Sequence, residues 1–168
     1  CALPISHIDA DGLTSAAIAA TALERAGIET ETTFANQLDE DALDRIAARD
    51  EETVLFTDFG SGQLHQIAEH EQASDFTPII ADHHQPTDID TEFHVNPLLE
   101  GVDGASELSG AGTTYVIARA LEQESDDQRV DNRDLAALAA IGAVGDRQLR
   151  DGELVGANQQ IVTEGIEA

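Results

Sequence analysis

The sequence predicts an α/β fold, a mostly parallel β-sheet flanked by helices, from three observations. Short apolar runs at residues 1–7, 53–57 and 77–81 read as strands. Stretches with helical spacing of their apolar residues alternate with them, and each strand runs into a polar cluster that carries carboxylates. In open parallel sheets the loops at the C-terminal edge converge, so these clusters are expected to share one site.

Taken in order, "CALPISH" (1–7) is the first strand. After Gly12 a helix is expected to begin, with Leu13, Ala16, Ala17, Ala20 and Leu23 at helical spacing and an end at Gly27. "ETETTFA" (29–35) is a second strand, followed by a helix over 39–49 with Leu43 and Ile46 inward. "TVLFTDFG" (53–60) is a continuous apolar run that meets Asp58, and "GQLHQIAEHE" (62–71) is the helix after it. The strand Thr77–Ala81 opens into Asp82, His83 and His84, and "EFHVNP" (92–97) is a further short strand closed by Pro97. The remainder reads as helical. Residues 104–124 offer Val116, Ile117, Ala120 and Leu121 on one face, 133–146 form an Ala-rich buried helix ending at Asp146, and 151–168 begin another helix. A chain of 168 residues without repeats or low-complexity linkers fits one domain.

The charge balance is extreme: 34 acidic residues against 8 basic ones, all arginine, for a net charge of −26. Such self-repulsion opposes a compact state unless it is screened, and at about 1 M salt the Debye length is only roughly 3 Å. A halophilic cytoplasm is the expected setting. Intrinsic disorder fits poorly, because the acids are spread along a chain that is 41% hydrophobic. Binding through a broad basic face is excluded, so any nucleic-acid contact has to be local. Cys1 is the only cysteine, which rules out an internal disulfide and a thiolate metal cluster. No run approaches the ~20 apolar residues of a membrane span and no signal peptide is visible, so the chain is expected to be cytoplasmic with no membrane partner. The absence of methionine marks residue 1 as something other than a natural start.

Taken singly, the clusters have ordinary readings. His7, Asp9 and Asp11 alternate, which would point them to one side of an extended segment, yet an acid before a helix is also a capping residue. Asp58 after "VLF" and Asp146 after "GAVG" each read alone as a turn residue or cap. Asp82 beside His83 and His84 is the arrangement in which a carboxylate fixes the tautomer of a metal-bound imidazole. Together the clusters bring carboxylates and imidazoles, without thiolate, to one sheet edge. Such donors suit Mn²⁺, with Mg²⁺ as the other choice, and bound dications would remove the mutual repulsion of the acids. A centre for two ions is the expectation. "SGAG" (109–112) opens a helix, and two readings stand. The backbone around Ser109, Gly110 and Gly112 could hold a substrate phosphate, or the glycines could allow close helix packing.

"SHIDADG", "TDFG", "ADHH" and "GAVGD" resemble, in order and approximate spacing, the four motifs of the DHH phosphoesterases. The resemblance runs from residue 5 to about 150 and includes "NPLLEG" and "LSGAGTTYVIARAL". The spacing His7-x-Asp9-x-Asp11-Gly12 is similar to the RecJ type, and "GAVGD" with the acidic composition is similar to archaeal RecJ-like proteins. The resemblance implies a metal-dependent phosphodiesterase, above all an exonuclease on single-stranded nucleic acid or short oligonucleotides. It implies that His7 and Asp9 hold one metal, that Asp11, His83 and Asp146 hold the other, and that Asp58 bridges them. His84 would contact the scissile phosphate or assist the leaving group, and Asp82 would orient its neighbours. Two other functions stay open: a phosphodiesterase of cyclic dinucleotides or very short oligonucleotides, or a non-catalytic scaffold whose partners are replication-complex proteins of the GINS type. The C-terminal domain usual in the family carries a Gly-rich, His-containing motif, and nothing like it occurs before Ala168. The chain is therefore expected to be the catalytic domain of a longer protein, or a reduced form.

Overall fold

A computed structural model describes residues 1–89, 91–122 and 130–167. Among these the main sheet has five parallel strands, β1 (Ala2–His7), β2 (Thr33–Ala35), β3 (Thr53–Thr57), β4 (Thr77–Ala81) and β5 (His94–Val95), in the order β2-β1-β3-β4-β5. The chain leaves β1 for β2 on one side and returns to β3 on the other, which opens a crevice at the C-terminal ends of β1 and β3. Doubly wound sheets bind ligands at this switch point.

Helices α1 (Ala10–Arg25) and α4 (Gly110–Ala120) cover one face of the sheet, and α2 (Glu40–Ala47) and α3 (Leu64–Ala73) cover the other. On the second face, Leu3, Ile5, Val54, Phe56 and Ile80 pack against Leu43, Ile46, Leu64 and Ile67, as the expected inward positions of α2 require. Beyond α1 and α4 lie α5 (Ala136–Gly145) and α6 (Gly156–Ile166), joined to them through Ile18, Tyr115, Leu135 and Ile161. No helix among the described residues is long and apolar enough to cross a membrane.

Several boundaries and faces differ from the sequence reading, each for a packing reason. Helix α1 begins at Ala10 rather than after Gly12, because the Asp9 carboxylate accepts the Gly12 amide at 2.9 Å and caps it there. Its buried face is Ala16, Ile18, Ala19, Ala22 and Leu23, whereas Leu13 and Ala17 face solvent. Helix α4 likewise buries Ala111, Thr114, Tyr115 and Ala118 and exposes Val116 and Ala120, while Ile117 and Leu121 are half-buried against the sheet. Both helices lie between the sheet and other helices, so close approach selects small side chains over the larger apolar ones that periodicity favours. The end of the expected 104–124 helix falls at residues 123–124, outside the described residues. In α5 only Ala136, Ala139, Gly142 and Ala143 are buried, and Ile141 and Val144 are exposed.

Where only helix was expected, a hairpin of β6 (Leu149–Arg150) and β7 (Glu153–Leu154) turns through Asp151 and Gly152, both with positive φ (54° and 85°). Asp-Gly is the sequence signal of such a two-residue turn. The last segment, read as an unfinished helix, is the eleven-residue α6.

The surface charge makes stability depend on salt. Raising NaCl from about 0.1 to about 2 M should raise the thermal midpoint of metal-free protein, because the Debye length falls from about 10 Å to a few ångströms. A midpoint that is flat or falls with salt in circular dichroism melts would show that self-repulsion does not limit stability.

Candidate metal centre

The site is built where β1, β3 and β4 end side by side. His7 is the last residue of β1, and its Nδ1 lies 2.9 Å from Asp9 Oδ2, while the other Asp9 oxygen caps α1. Asp9 thus serves as both cap and cluster member. Burial opposes its charge, but the Gly12 amide and His7 hold Asp9 below the usual carboxylate range. Gly12 is required by close approach, since a Cβ there would sit 2.2 Å from the His7 carbonyl oxygen.

Asp11 does not continue the alternation. It lies in the first turn of α1, fully buried, and its two oxygens accept the Gly110 amide at 2.7 Å and the Ala111 amide at 2.9 Å. The positive end of α4 therefore holds a carboxylate of the chain itself. This corrects the phosphate-cradle reading of Ser109, Gly110 and Gly112. All three are buried, the Gly112 amide donates to Ser109 Oγ at 3.2 Å, and the Ser109 amide donates to Asn158 Oδ1 at 3.3 Å. The glycines serve packing: a Cβ on Gly110 would meet Asp58 Oδ1 at 2.4 Å, and one on Gly112 would meet Leu108 at 2.5 Å.

Asp58 follows β3 with φ at 63°, a left-handed conformation uncommon outside glycine and tolerated best by Asn and Asp. Its amide donates to the Ala81 carbonyl at 2.9 Å, which ties the turn to β4. Its Oδ1 is buried and has no hydrogen-bond partner among the described residues. His83 Nε2 comes within 3.3 Å of that oxygen, near enough for charge attraction but not aligned as a hydrogen bond. Burial pushes the Asp58 carboxyl up to about 8, with repulsion from Asp11 and Asp9 added and His83 opposing.

The "ADHH" segment divides its labour. Asp82 is fully buried; its Oδ1 accepts the His83 amide at 2.8 Å and takes His84 Nδ1 at 2.7 Å, and its Oδ2 accepts the Ser61 amide at 2.9 Å. Burial opposes its charge, yet the bonds from His84 and Ser61 bring it down to about 2. With both oxygens engaged, Asp82 orients its neighbours. His83 Nδ1 donates to the Gly104 carbonyl at 2.7 Å, because a carbonyl can only accept, so Nε2 is the nitrogen turned toward Asp11, Asp58 and Asp146. Burial opposes the His83 charge, but the adjoining Asp58 carboxylate and the Gly104 carbonyl hold the imidazole up at about 9. His84 is 58% exposed at its side chain; its bond to Asp82 raises its pKa and leaves Nε2 free.

Ligand atoms gather in three groups, within each of which they lie within 4.8 Å of one another: His7, Asp9 and Asp58; Asp11, His83 and Asp146; and Asp58, Asp82, His83 and His84. Asp58 stands between the first two, given its contact with His83. An orphaned buried carboxylate oxygen among oxygen and imidazole donors is the environment that a divalent cation completes, so these residues fit Mn²⁺ or Mg²⁺. Beside them opens a cleft of about 490 Å³ lined also by Asn36, Gln37, Phe59 and Gln63. Sequence reasoning missed Gln148 and Asn158. Both are buried, and Gln148 Nε2 donates to Asp146 Oδ2 at 2.9 Å. Both carry uncharged amides, which a reading that follows acids and imidazoles passes over.

Fold and site together define a doubly wound α/β domain that gathers acids and imidazoles from four chain segments at one sheet edge. The family model "DHH family, N-terminal domain" matches residues 4–143, and the chain belongs to the DHH family. It is 33% identical to an uncharacterised protein of Methanocaldococcus jannaschii over 171 residues, covering 97% of this chain and 36% of that protein. Among solved structures it is similar to an exonuclease RecJ bound to manganese, at a TM-score of 0.74 and 25% identity over 99% of this chain and 43% of that one. It shares its fold with the RecJ of Thermus thermophilus in complex with Mn²⁺ (TM-score 0.73, 24% identity, 99% of this chain and 24% of that one). It also shares it with CDC45 from Entamoeba histolytica (TM-score 0.66, 18% identity, 96% of this chain and 33% of that one). The chain thus spans less than half the length of these relatives.

The electrostatics of the site set its response to pH. Asp58 and His83 bind protons more tightly folded than unfolded, so the stability they contribute is complete below their unfolded values, near 3.8 and 6.5. It is lost as pH rises toward about 8 and about 9. Metal-free protein should therefore melt lower at pH 9 than at pH 6, and Mn²⁺ should bind more tightly at pH 9 with release of protons, read by calorimetry in buffers of different ionisation enthalpy. Binding that is independent of pH would contradict the assignment of these protons.

Asp58→Asn keeps the left-handed backbone but removes the orphan charge. At pH 9 the metal-free variant should melt several degrees above the parent, and added Mn²⁺ should no longer raise its midpoint. An unchanged Mn²⁺ response would remove Asp58 from the ligand set.

Proposed function

We propose that this domain carries the catalytic centre of a metal-dependent phosphodiesterase, a RecJ-like exonuclease acting on single-stranded nucleic acid or short oligonucleotides with two Mn²⁺ ions, or Mg²⁺ in their place. The observation that carries this reading is Asp58, a buried carboxylate with an unsatisfied oxygen, flanked by His7 and Asp9 on one side and His83 on the other. It is supported by the similarity to an exonuclease RecJ bound to manganese.

His7 and Asp9 would hold one ion, Asp11, His83 and Asp146 the other, and Asp58 both. When bound, two such ions supply Lewis-acid activation of water and neutralise charge on the phosphate oxygens. The chain's own residues do the rest. The Gly104 carbonyl fixes His83 in the tautomer that presents Nε2, and Asp82 fixes the His84 ring. The Asp82 carboxylate at Nδ1 raises the His84 pKa and favours the protonated ring, which could then give its Nε2 proton to the leaving oxygen. The cleft beside His84 is lined also by Asn36 and Gln63, whose uncharged amides would face a bound strand without adding to the negative charge.

The test is hydrolysis of end-labelled single-stranded DNA and RNA with Mn²⁺ at high salt, by the parent protein and by His84→Ala. The parent should release nucleotides from single strands and spare duplexes. His84→Ala should lower kcat by about 10²–10⁴-fold with little change in KM. Absence of phosphodiester hydrolysis by the parent would overturn the reading and favour the scaffold function, whose signature would be capture of replication-complex proteins by a ligand-deficient variant.

A further inference from the structure

We infer that Gln148, together with Asn158 behind it, is a positioning residue that sets the geometry of the inner group Asp11, His83 and Asp146; this rests on the two-ion reading above. Gln148 is 2% exposed although it lies between Arg147 and Leu149 on a polar connection. The chain turns it inward because Arg147 adopts φ of 61° and the Gln148 amide returns to the Ala143 carbonyl at 2.9 Å. A buried primary amide is costly unless each polar atom is used, and here each is.

Its Nε2 donates to the Gly104 carbonyl at 2.8 Å and to Asp146 Oδ2 at 2.9 Å, and its Oε1 accepts from Asn158 Nδ2 at 2.8 Å. A carbonyl and a carboxylate on one side both require a donor, so the amide has a single workable orientation. Gly104 is the carbonyl that fixes the His83 ring. One side chain therefore touches the carboxylate of one inner residue and the group that orients a second.

Asn158 links the third. Its Oδ1 accepts the amide of Ser109, which caps α4, and the next two amides of that helix hold the Asp11 carboxylate. Asp146, His83 and Asp11 come from the ends of α5 and β4 and the start of α1, and the Gln148–Asn158 pair is the polar connection that spans all three surroundings. An apolar pair would fill the same space without directing any of them.

The discriminating variant is Gln148→Met, of similar volume and without hydrogen bonds. Binding of Mn²⁺ is measured by calorimetry, the spin-coupled ion pair by electron paramagnetic resonance, and folding by melts in chelator. The parent should bind two ions with a coupled signal. Folded Gln148→Met should keep one ion at near-parent affinity, bind the other about 10–100-fold more weakly, and lose the coupled signal at low Mn²⁺. A merely structural role would lower the melting point and leave affinity and coupling in place, and that result overturns the inference. If the parent itself binds fewer than two ions, the two-ion reading falls and the inference with it. Should Gln148→Met not fold, Asn158→Ala carries the test: it must weaken the same ion, and unchanged affinity overturns the inference.

Discussion

Buried negative charge at one sheet edge is the constraint around which this domain is arranged. Three aspartates, Asp11, Asp58 and Asp82, are almost wholly removed from solvent, and each would be strongly destabilising alone. The fold answers each differently. Asp82 is surrounded by donors and stays ionised; Asp11 lies on the N-terminal amides of α4, which soften but do not cancel the effect of burial. Among the described residues, Asp58 Oδ1 has no hydrogen-bond partner and receives the poorly aligned approach of His83. The hierarchy runs from a carboxylate fully engaged by the fold to one left with an open oxygen, and that oxygen sits at the switch point of the sheet.

The helix packing serves the same arrangement. Gly110 lets α4 approach Asp58, and Gly142 lets α5 approach Asp11, where a Cβ would come within 2.4 Å of its Oδ1. Small residues on α1, α4 and α5 are thus the steric condition for carrying three aspartates and an imidazole in one volume. The large apolar residues displaced from those faces, Leu13, Val116, Ile141 and Val144, end up exposed. Faces that look wrongly oriented by hydrophobicity are a consequence of how near the helices must stand to the charges.

That coupling also explains what could be read from the sequence. The strands were legible, because Val54–Phe56 and Ile79–Ala81 are continuous apolar runs and their C-terminal acids lie side by side in a parallel sheet. The candidate residues could be picked out together, because His7 ends a strand and Asp9, Asp58, Asp82 and His83 follow strand ends. Helix faces were not, since periodicity ranks residues by apolarity and cannot register a requirement for closeness. The N-terminus of α4 left two readings open for a related reason: free amides at a helix start invite an anion, and only the tertiary structure reveals that Asp11, 99 residues away from Gly110, fills the place. Gln148 and Asn158 were invisible because an uncharged amide, beside Arg147 in one case and within α6 in the other, carries no local signature.

Surface and site meet in how a polyanion could approach such a chain. With a net charge of −26, the domain repels a nucleic acid at long range, and salt strong enough to screen that repulsion also weakens any attraction outside the cleft. On the proposed function, close-range neutralisation then falls chiefly to cations at Asp58 and its neighbours. Substrate capture and catalysis would therefore share one set of ligands, and a variant that loses an ion would lose affinity and turnover together. The geometry that Gln148 and Asn158 impose on the inner residues would act on both at once. The burial of uncharged amides behind the acids is consistent with that demand: they direct the ligands without adding charge to a site that already has an excess of it.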